Sequence, residues 1–265
     1  MVFRVPTKKF EDYRYLFNEE KFPRTWIDSA FRFKSAKLLL DEEENPTMTI
    51  LHFPYHAFVA GDPKQSKLAE MFNTIPEETE ININEDKWLP KLQEYFRGRL
   101  IQKTRYKMAH KSLSLEKLEN LKKPLPEGYS LKKTDRETIE RLPNILKVHI
   151  KPFFGTVDNF TEKGIGFCVK HGGEPISMAS SCLPYTDKLE VQIATVDSPE
   201  YRRKGFGTAA CVALLEYCLR NKIEPHWNAF NERSVLMAEK LGYTDAEQYY
   251  VYKWRKGGEV RIFKT

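Results

Sequence analysis

Long apolar runs are what this 265-residue sequence most plainly lacks. No stretch approaches the roughly 18–20 apolar residues that a bilayer-crossing helix needs, so no membrane span is expected. The opening MVFRVPTKKF has neither a hydrophobic segment nor a small-residue cleavage site, which argues for a cytoplasmic protein. Cysteine is scarce. Cys168, Cys182, Cys211 and Cys218 show no C-x-x-C pair and no ordered histidine spacing, so neither a zinc site nor any other metal is expected. Cys211 and Cys218 fall about two turns apart on a helix, too far to bridge, and all four read as reduced, mostly buried thiols. Charge of one sign is also in short supply, with 43 basic against 37 acidic residues. The densest basic run is Arg97, Arg99, Lys103, Arg105, Lys107 and Lys111, where only Tyr106 offers a base a stacking platform. A solvated strand and helix end fits it better than a nucleic-acid surface.

What is present is patterned as two α/β halves. The segment Leu121-Lys122-Lys123-Pro124-Leu125-Pro126-Glu127-Gly128 suits neither helix nor strand interior, and divides the chain into domains 1–121 and 127–265. In the first, helices are expected over Phe10–Glu20, Pro23–Phe33, Gln65–Phe72 and Trp88–Gly98. Strands are expected over Ser35–Asp41, Met48–Ala60, Glu80–Ile83 and Leu100–Met108. The second begins with strand Tyr129–Lys133 and a helix over 135–148 opened by the capping box Thr134 and Glu137. Strands Gly164–Lys170, Pro175–Leu183 and Lys188–Val196 follow, separated by hairpin turns. Then come helix Thr208–Arg220, strand His226–Phe230, helix Glu232–Leu241 and strand Gln248–Trp254. Helix 208–220 is apolar almost all round, so it must be covered by a further layer, such as the N-terminal unit.

Between an alternating strand and that helix lies Tyr201-Arg202-Arg203-Lys204-Gly205-Phe206-Gly207-Thr208. Two glycines at such a junction let successive backbone N–H groups converge on one anion, and the helix N-terminus adds its dipole. The third glycine of a dinucleotide fingerprint is absent, and no Gly-Lys-Ser/Thr follows as in a Walker loop. A phosphate-bearing ligand of another kind is therefore expected.

Arg202-x-x-Gly205-x-Gly207 in this position resembles the acyl-CoA pyrophosphate loop of the GNAT N-acetyltransferase superfamily. Thr195, Tyr201-Arg202-x-Lys204-Gly205, Pro225-x-Trp227-Asn228-x-x-Asn231-x-x-Ser234 and Ala238-Glu239-Lys240-Leu241-Gly242-Tyr243 resemble the subgroup that includes zwittermicin A resistance acetyltransferases. The likeness implies an α+β fold in the C-terminal half, a mixed and mostly antiparallel sheet flanked by helices, preceded by a smaller divergent α/β domain of degenerate GNAT-like character. It implies acetyl-CoA as donor and direct transfer to the amine of a small molecule, an antibiotic or amino metabolite. A homodimer stays open.

By the same resemblance the cofactor contacts are Ile193, Ala194, Thr195 and Val196 on the strand. The loop supplies Arg202, Arg203, Lys204, Gly205, Phe206, Gly207 and Thr208, and the next helix Asn231 and Ser234. An attacking amine must lose a proton, and Glu190 on strand 188–196 is the candidate base, with Gln192 on its face to orient water or substrate. His149 and His171 are outside candidates. The superfamily's usual proton donor is a tyrosine seven residues after the asparagine, where this chain has Ala238. Tyr243, Tyr249, Ser234 or solvent must then protonate the leaving thiolate, or it departs unassisted. The competing expectations are a non-catalytic acyl-CoA-binding module and, less favoured, a nucleic-acid-binding protein.

Overall fold

The computed structural model describes residues 2–17, 22–63, 66–83 and 85–256. In chain order the first half comprises β1 (Phe3–Arg4), a 3₁₀ helix (Thr7–Leu16), α1 (Arg24–Phe33), β2 (Lys37–Leu40), β3 (Met48–His52) and β4 (His56–Gly61). It continues with α2 (Leu68–Phe72), β5 (Glu80–Ile83), α3 (Trp88–Phe96) and β6 (Leu100–Ala109). The second half comprises α4 (Leu115–Asn120), β7 (Tyr129–Lys133), α5 (Arg136–Arg141), α6 (Asn144–Lys147), α7 (Ile150–Phe154), α8 (Val157–Lys163), β8 (Gly166–His171), β9 (Glu174–Ser181) and β10 (Lys188–Thr195). It ends with α9 (Phe206–Arg220), β11 (Glu224–Ala229), α10 (Glu232–Leu241) and β12 (Thr244–Trp254). Gln65 and Glu20, at the limits of two expected helices, lie outside the described residues.

Two compact units result, one of residues 1–105 with 249–265 and the other of residues 106–248. The Leu121–Gly128 segment therefore falls inside the second unit. Each unit repeats one plan. In the first, β1 to β4 are antiparallel neighbours, β4 and β5 are parallel, and β12 adds to β5 through Tyr252↔Ile81. In the second, β7 to β10 are antiparallel neighbours, β10 and β11 are parallel, and β6 adds to β11 through Trp227↔Met108. The strand completing each unit thus comes from the C-terminal end of the other repeat's run of sequence, after α3 for β6 and after α10 for β12, and the chain carries an internal repeat.

Local chemistry explains where the elements depart from expectation. Residues 48–60 form a hairpin rather than one strand, because Pro54 presets a turn that Phe53 N closes onto His56 O at 2.8 Å. The helix expected over 135–148 is cut into pieces. Asp135, not Thr134, caps its start by accepting from Thr138 N at 2.8 Å, and Leu142 turns extended (ψ 132) ahead of Pro143.

In the second unit α9 packs on β8 and β9, burying Phe206, Ala210, Cys211, Leu214, Leu215 and Cys218. Its cover comes from within the same unit. Leu113, Leu118, Leu121 and Leu125 from α4 and the segments on either side of it join the core, as do Ala238 and Leu241 of α10. Four cysteines are free and buried. The basic run is partly neutralised in the first unit, where Arg105 Nε donates to buried Glu80 at 3.0 Å and Arg99 lies over the Trp254 ring. Among the described residues no helix is long and apolar enough to cross a membrane.

Candidate active site

The parallel pair β10–β11 runs only through Lys188↔Glu224, Leu189↔Pro225 and Glu190↔His226. Beyond Glu190, β10 stays paired with β9 alone, from Val191↔Ser181 to Thr195↔Ser177. The two strands part there, and the edge of β10 is left open. Strand alternation decides which groups use that edge. Glu190 O accepts from Cys182 N at 2.7 Å, and Val196 N donates to Ile176 O at 2.8 Å, so the even-numbered residues turn their peptides to β9. Ile193 and Thr195 face the opening. Ala194 and Val196 do not: the Ala194 carbonyl accepts from Ser177 Oγ at 3.2 Å.

Glu190 sits at the last paired rung, only 6% exposed, with Asn228 Nδ2 at 2.8 and 3.0 Å from its two carboxylate oxygens. Leu189 on the other face packs in the core beneath α9, so Glu190 and Gln192 share the face away from that helix. Ser180, paired with Gln192, holds His149 Nε2 at 3.0 Å on the same face. His149 is fully enclosed and burial pulls its imidazole down to about 4, so it is neutral at neutral pH.

The glycine loop supplies the second half of the site. Tyr201 N and Arg202 N are committed to Ser198 O, at 3.0 and 2.9 Å. The N–H groups of Arg203, Lys204, Gly205, Phe206, Gly207 and Thr208 then have no acceptor among the described residues. Arg203 (φ 61) and Gly205 (φ 86) both adopt the left-handed conformation, which curls successive amides into an anion-binding concavity. A Cβ on Gly205 would meet nothing within 4 Å, so this glycine serves the backbone angle and leaves space. Gly207 is different: its Cβ would lie 3.4 Å from Thr195 Oγ1 and 3.7 Å from Ile193 Cδ1, at the closest approach of α9 to the open strand. The Phe206 side chain is buried. It stacks on Tyr129 (ring centroids 4.7 Å), which stacks on His171 (4.1 Å), while Tyr201 lies edge-on to both Phe206 and His171. His171 therefore braces the loop. Arg202 pairs with Asp197 at 2.8 Å, leaving Arg203 and Lys204 as the loop's unpaired cations among the described residues.

On α10, Asn231 is the N-cap, its Oδ1 accepting from Ser234 N at 2.9 Å, and Ser234 Oγ accepts from Trp227 Nε1 at 3.0 Å. Thr208 Oγ1 meets Met237 Sδ and Lys240 Nζ, which fixes α10 beside the loop. One candidate proton donor falls away, and the position of the superfamily's usual tyrosine is closed off. Ala238 points into the core, and Tyr243 is buried there with its hydroxyl donating to Pro225 O at 3.0 Å. Burial raises the Tyr243 phenol far above its usual range, so it holds its proton and packs rather than titrates. Beside the loop lies a cavity of 660 Å³, whose wall is Leu125, Pro126, Leu131, Ala209 and Val212 and whose basic groups are Lys122, Lys123, Arg203, Lys204 and Lys240.

Residues 14–252 match the family described as GNAT acetyltransferase. The chain belongs to that family. Over 206 residues it is 29% identical to the uncharacterized N-acetyltransferase YdfB of Bacillus subtilis, covering 75% of this chain and 72% of that protein. Its fold is that of a GCN5-related N-acetyltransferase-like protein from Streptococcus suis, with TM-score 0.79, 24% identity and coverage of 94% of this chain and 99% of that one. A tandem GNAT protein from the clavulanic acid biosynthesis pathway superposes at TM-score 0.61 and 11% identity, over 96% and 98% of the two chains. The GNAT match extends across both units, as the internal repeat requires.

This chain is thus an N-acetyltransferase. Its two repeats are unequal. In the first, β4 and β5 stay paired through four rungs, from His56↔Glu80 to Val59↔Ile83, and α2 has only five residues. Among the described residues only the second combines a parted strand pair with a row of acceptor-free amides beside basic side chains, and its chemistry fits an acyl-CoA: amides free to meet an anion, an open strand edge for an amide-bearing arm, and a carboxylate where the strands part. The hold of Asn228 on Glu190, the stacking of Phe206 on Tyr129 and His171, and the 120–126 wall were not recognisable from sequence. Asn228 stood in the sequence only as part of the Trp227-Asn228-x-x-Asn231 motif, with no role attached to it.

Proposed function

We propose that this enzyme transfers the acetyl group of acetyl-CoA directly to the amine of a small molecule in the cytoplasm. The observation that carries the reading is the row of six successive amides, Arg203 to Thr208, without acceptors at the mouth of a strand pair that opens at Glu190. These amides would hold the pyrophosphate, each charge-assisted bond contributing about 1.5–3 kcal/mol before binding costs. Ile193 and Thr195 would pair with the amides of the pantetheine arm, and the basic cavity beside Lys122 and Lys204 would take the nucleotide end. Asn231, already a helix cap, and Ser234 would flank the arm from α10.

The thioester supplies an activated acetyl group, and proton handling falls to the chain. Glu190 accepts the proton of the attacking ammonium, directly or through a water held by Gln192. A backbone N–H on the open edge of β10 donates to the oxyanion, a contribution often worth about 2.7–4 kcal/mol. No cysteine relays the acyl group: all four are buried, and burial pushes Cys168 up to about 11 and Cys218 up to about 12, so no thiolate is available. The departing thiolate takes its proton from solvent or the Ser234 hydroxyl. The motif likeness to zwittermicin A resistance acetyltransferases favours an amine-bearing antibiotic or a related amino metabolite as acceptor.

Thiol release from acetyl-CoA across a panel of small amines, alongside calorimetric CoA binding, tests the reading. Amine-dependent release is expected. Tight CoA binding without release for any amine would leave a non-catalytic acyl-CoA-binding module.

A further inference from the structure

We infer that His110, Glu224 and His226 form a binding site for a divalent transition metal of the zinc class. The three come together only through topology. Glu224 and His226 lie two apart on β11 and share a face, while β6 runs antiparallel beside them with Trp227↔Met108, delivering His110 just past its end. One donor atom from each lies within 4.8 Å of the other two. Glu224 Oε2 is 3.4 Å from His226 Nε2 and 3.9 Å from His110 Nε2, and the two imidazole centroids are 4.7 Å apart.

Metal geometry accepts that arrangement. Zinc bonds to nitrogen and oxygen at about 2.0–2.2 Å place the donors of a tetrahedron about 3.3–3.5 Å apart. The carboxylate and His226 are already at that spacing, and His110 needs only a small side-chain rotation. Two imidazoles with one carboxylate suit zinc, and disfavour calcium and magnesium, which take oxygen ligands. Three protein ligands leave the fourth position open.

Electrostatics agree. The nearby cations are Lys111, and Lys188, whose ammonium is paired with Asp187 at 2.9 Å. Glu224 supplies the negative charge a metal requires. Neither histidine was expected as a ligand, because His110 is remote in sequence from the other two. The site adjoins the proposed base, since Glu190 is paired with His226 across the ladder.

Zinc titration of the full-length chain, prepared without a histidine tag and stripped with chelator, against a competing chromophoric chelator tests the assignment. One equivalent should bind, with affinity falling at least about tenfold in His110→Ala and in His226→Ala. Cobalt substitution should give the intense visible bands of a four-coordinate ion, weakened by Glu224→Gln. Absence of stoichiometric zinc binding by the unaltered chain overturns the inference. So does zinc binding of unchanged affinity in the folded His110→Ala/His226→Ala double variant, with folding judged by circular dichroism. If that variant fails to fold, the cobalt spectrum decides: weak six-coordinate bands, or bands indifferent to Glu224→Gln, overturn the site.

Discussion

Asn228 Nδ2 reaches both carboxylate oxygens of Glu190, at 2.8 and 3.0 Å, across the last rung before β10 and β11 part. A carboxylate held this way has a fixed direction at the place where an acyl group would arrive, and orientation is a large part of what a general base contributes.

Glu190→Gln should therefore lower kcat by about 10²–10⁴-fold with CoA affinity unchanged. Asn228→Ala should lower kcat by about 10–100-fold, as a misaligned base does, again without weakening CoA. Steady-state kinetics with calorimetry separates the two parameters. Unchanged turnover in Glu190→Gln would remove Glu190 as the base.

Gly205 has open space where a Cβ would stand, so a side chain there clashes with no neighbour and costs the fold only the strain of its left-handed φ of 86. Gly205→Asp places a carboxylate among the amides of Arg203 to Thr208 and should weaken CoA at least about 100-fold, more than 2.7 kcal/mol, through charge repulsion. The circular dichroism spectrum should stay that of the parent. Full CoA affinity in the variant would sink the loop assignment.

Ala238 occupies the sequence position of the superfamily's usual tyrosine, yet it is completely enclosed by the core beneath α9. Ala238→Tyr should overpack that core and destabilise the protein by about 1–3 kcal/mol in urea unfolding, without raising turnover. A stable variant with faster turnover would show that the position reaches the acyl site after all.

His149 is enclosed against Ser180 and Phe160, and its imidazole titrates near 4 rather than 6.5. The unfolded chain takes up a proton below pH 6.5 that the folded chain refuses until pH 4, so stability from the neutral histidine is full above 6.5 and lost between 6.5 and 4. The loss should total about 3 kcal/mol. His149→Gln removes this titration, so the stability difference between parent and variant should shrink over that window. A difference independent of pH would mean that His149 is not held neutral by the fold.

Much of the second unit was legible because local signals agreed there. The glycine pair, the basic residues before it and the apolar helix after it are contiguous, and β10, α9 and α10 fell within a few residues of their expected limits. Helix 135–148 misled because its capping residues and charges read as helix while Pro143 broke it. The 120–128 segment misled in another way. Its prolines and glycine correctly excluded regular structure, but Leu118, Leu121 and Leu125 join the core with α9, and the last two line the cavity beside the loop.

The sequence by itself determined the row of acceptor-free amides, since glycine φ freedom, a helix start and basic neighbours are local properties of eight consecutive residues, 201–208. It also placed Glu190 and Gln192 on one face through the two-residue period of a strand. Only the tertiary structure decided what those residues meet. The strand exchange that completes each repeat, the parting of β10 from β11 at Glu190, the hold of Asn228 on that carboxylate, the stack of Phe206 on Tyr129 and His171, and the meeting of His110 with Glu224 and His226 all join residues distant in the chain. Such pairings follow from sheet register and core packing summed over the whole unit, which no local window of sequence contains.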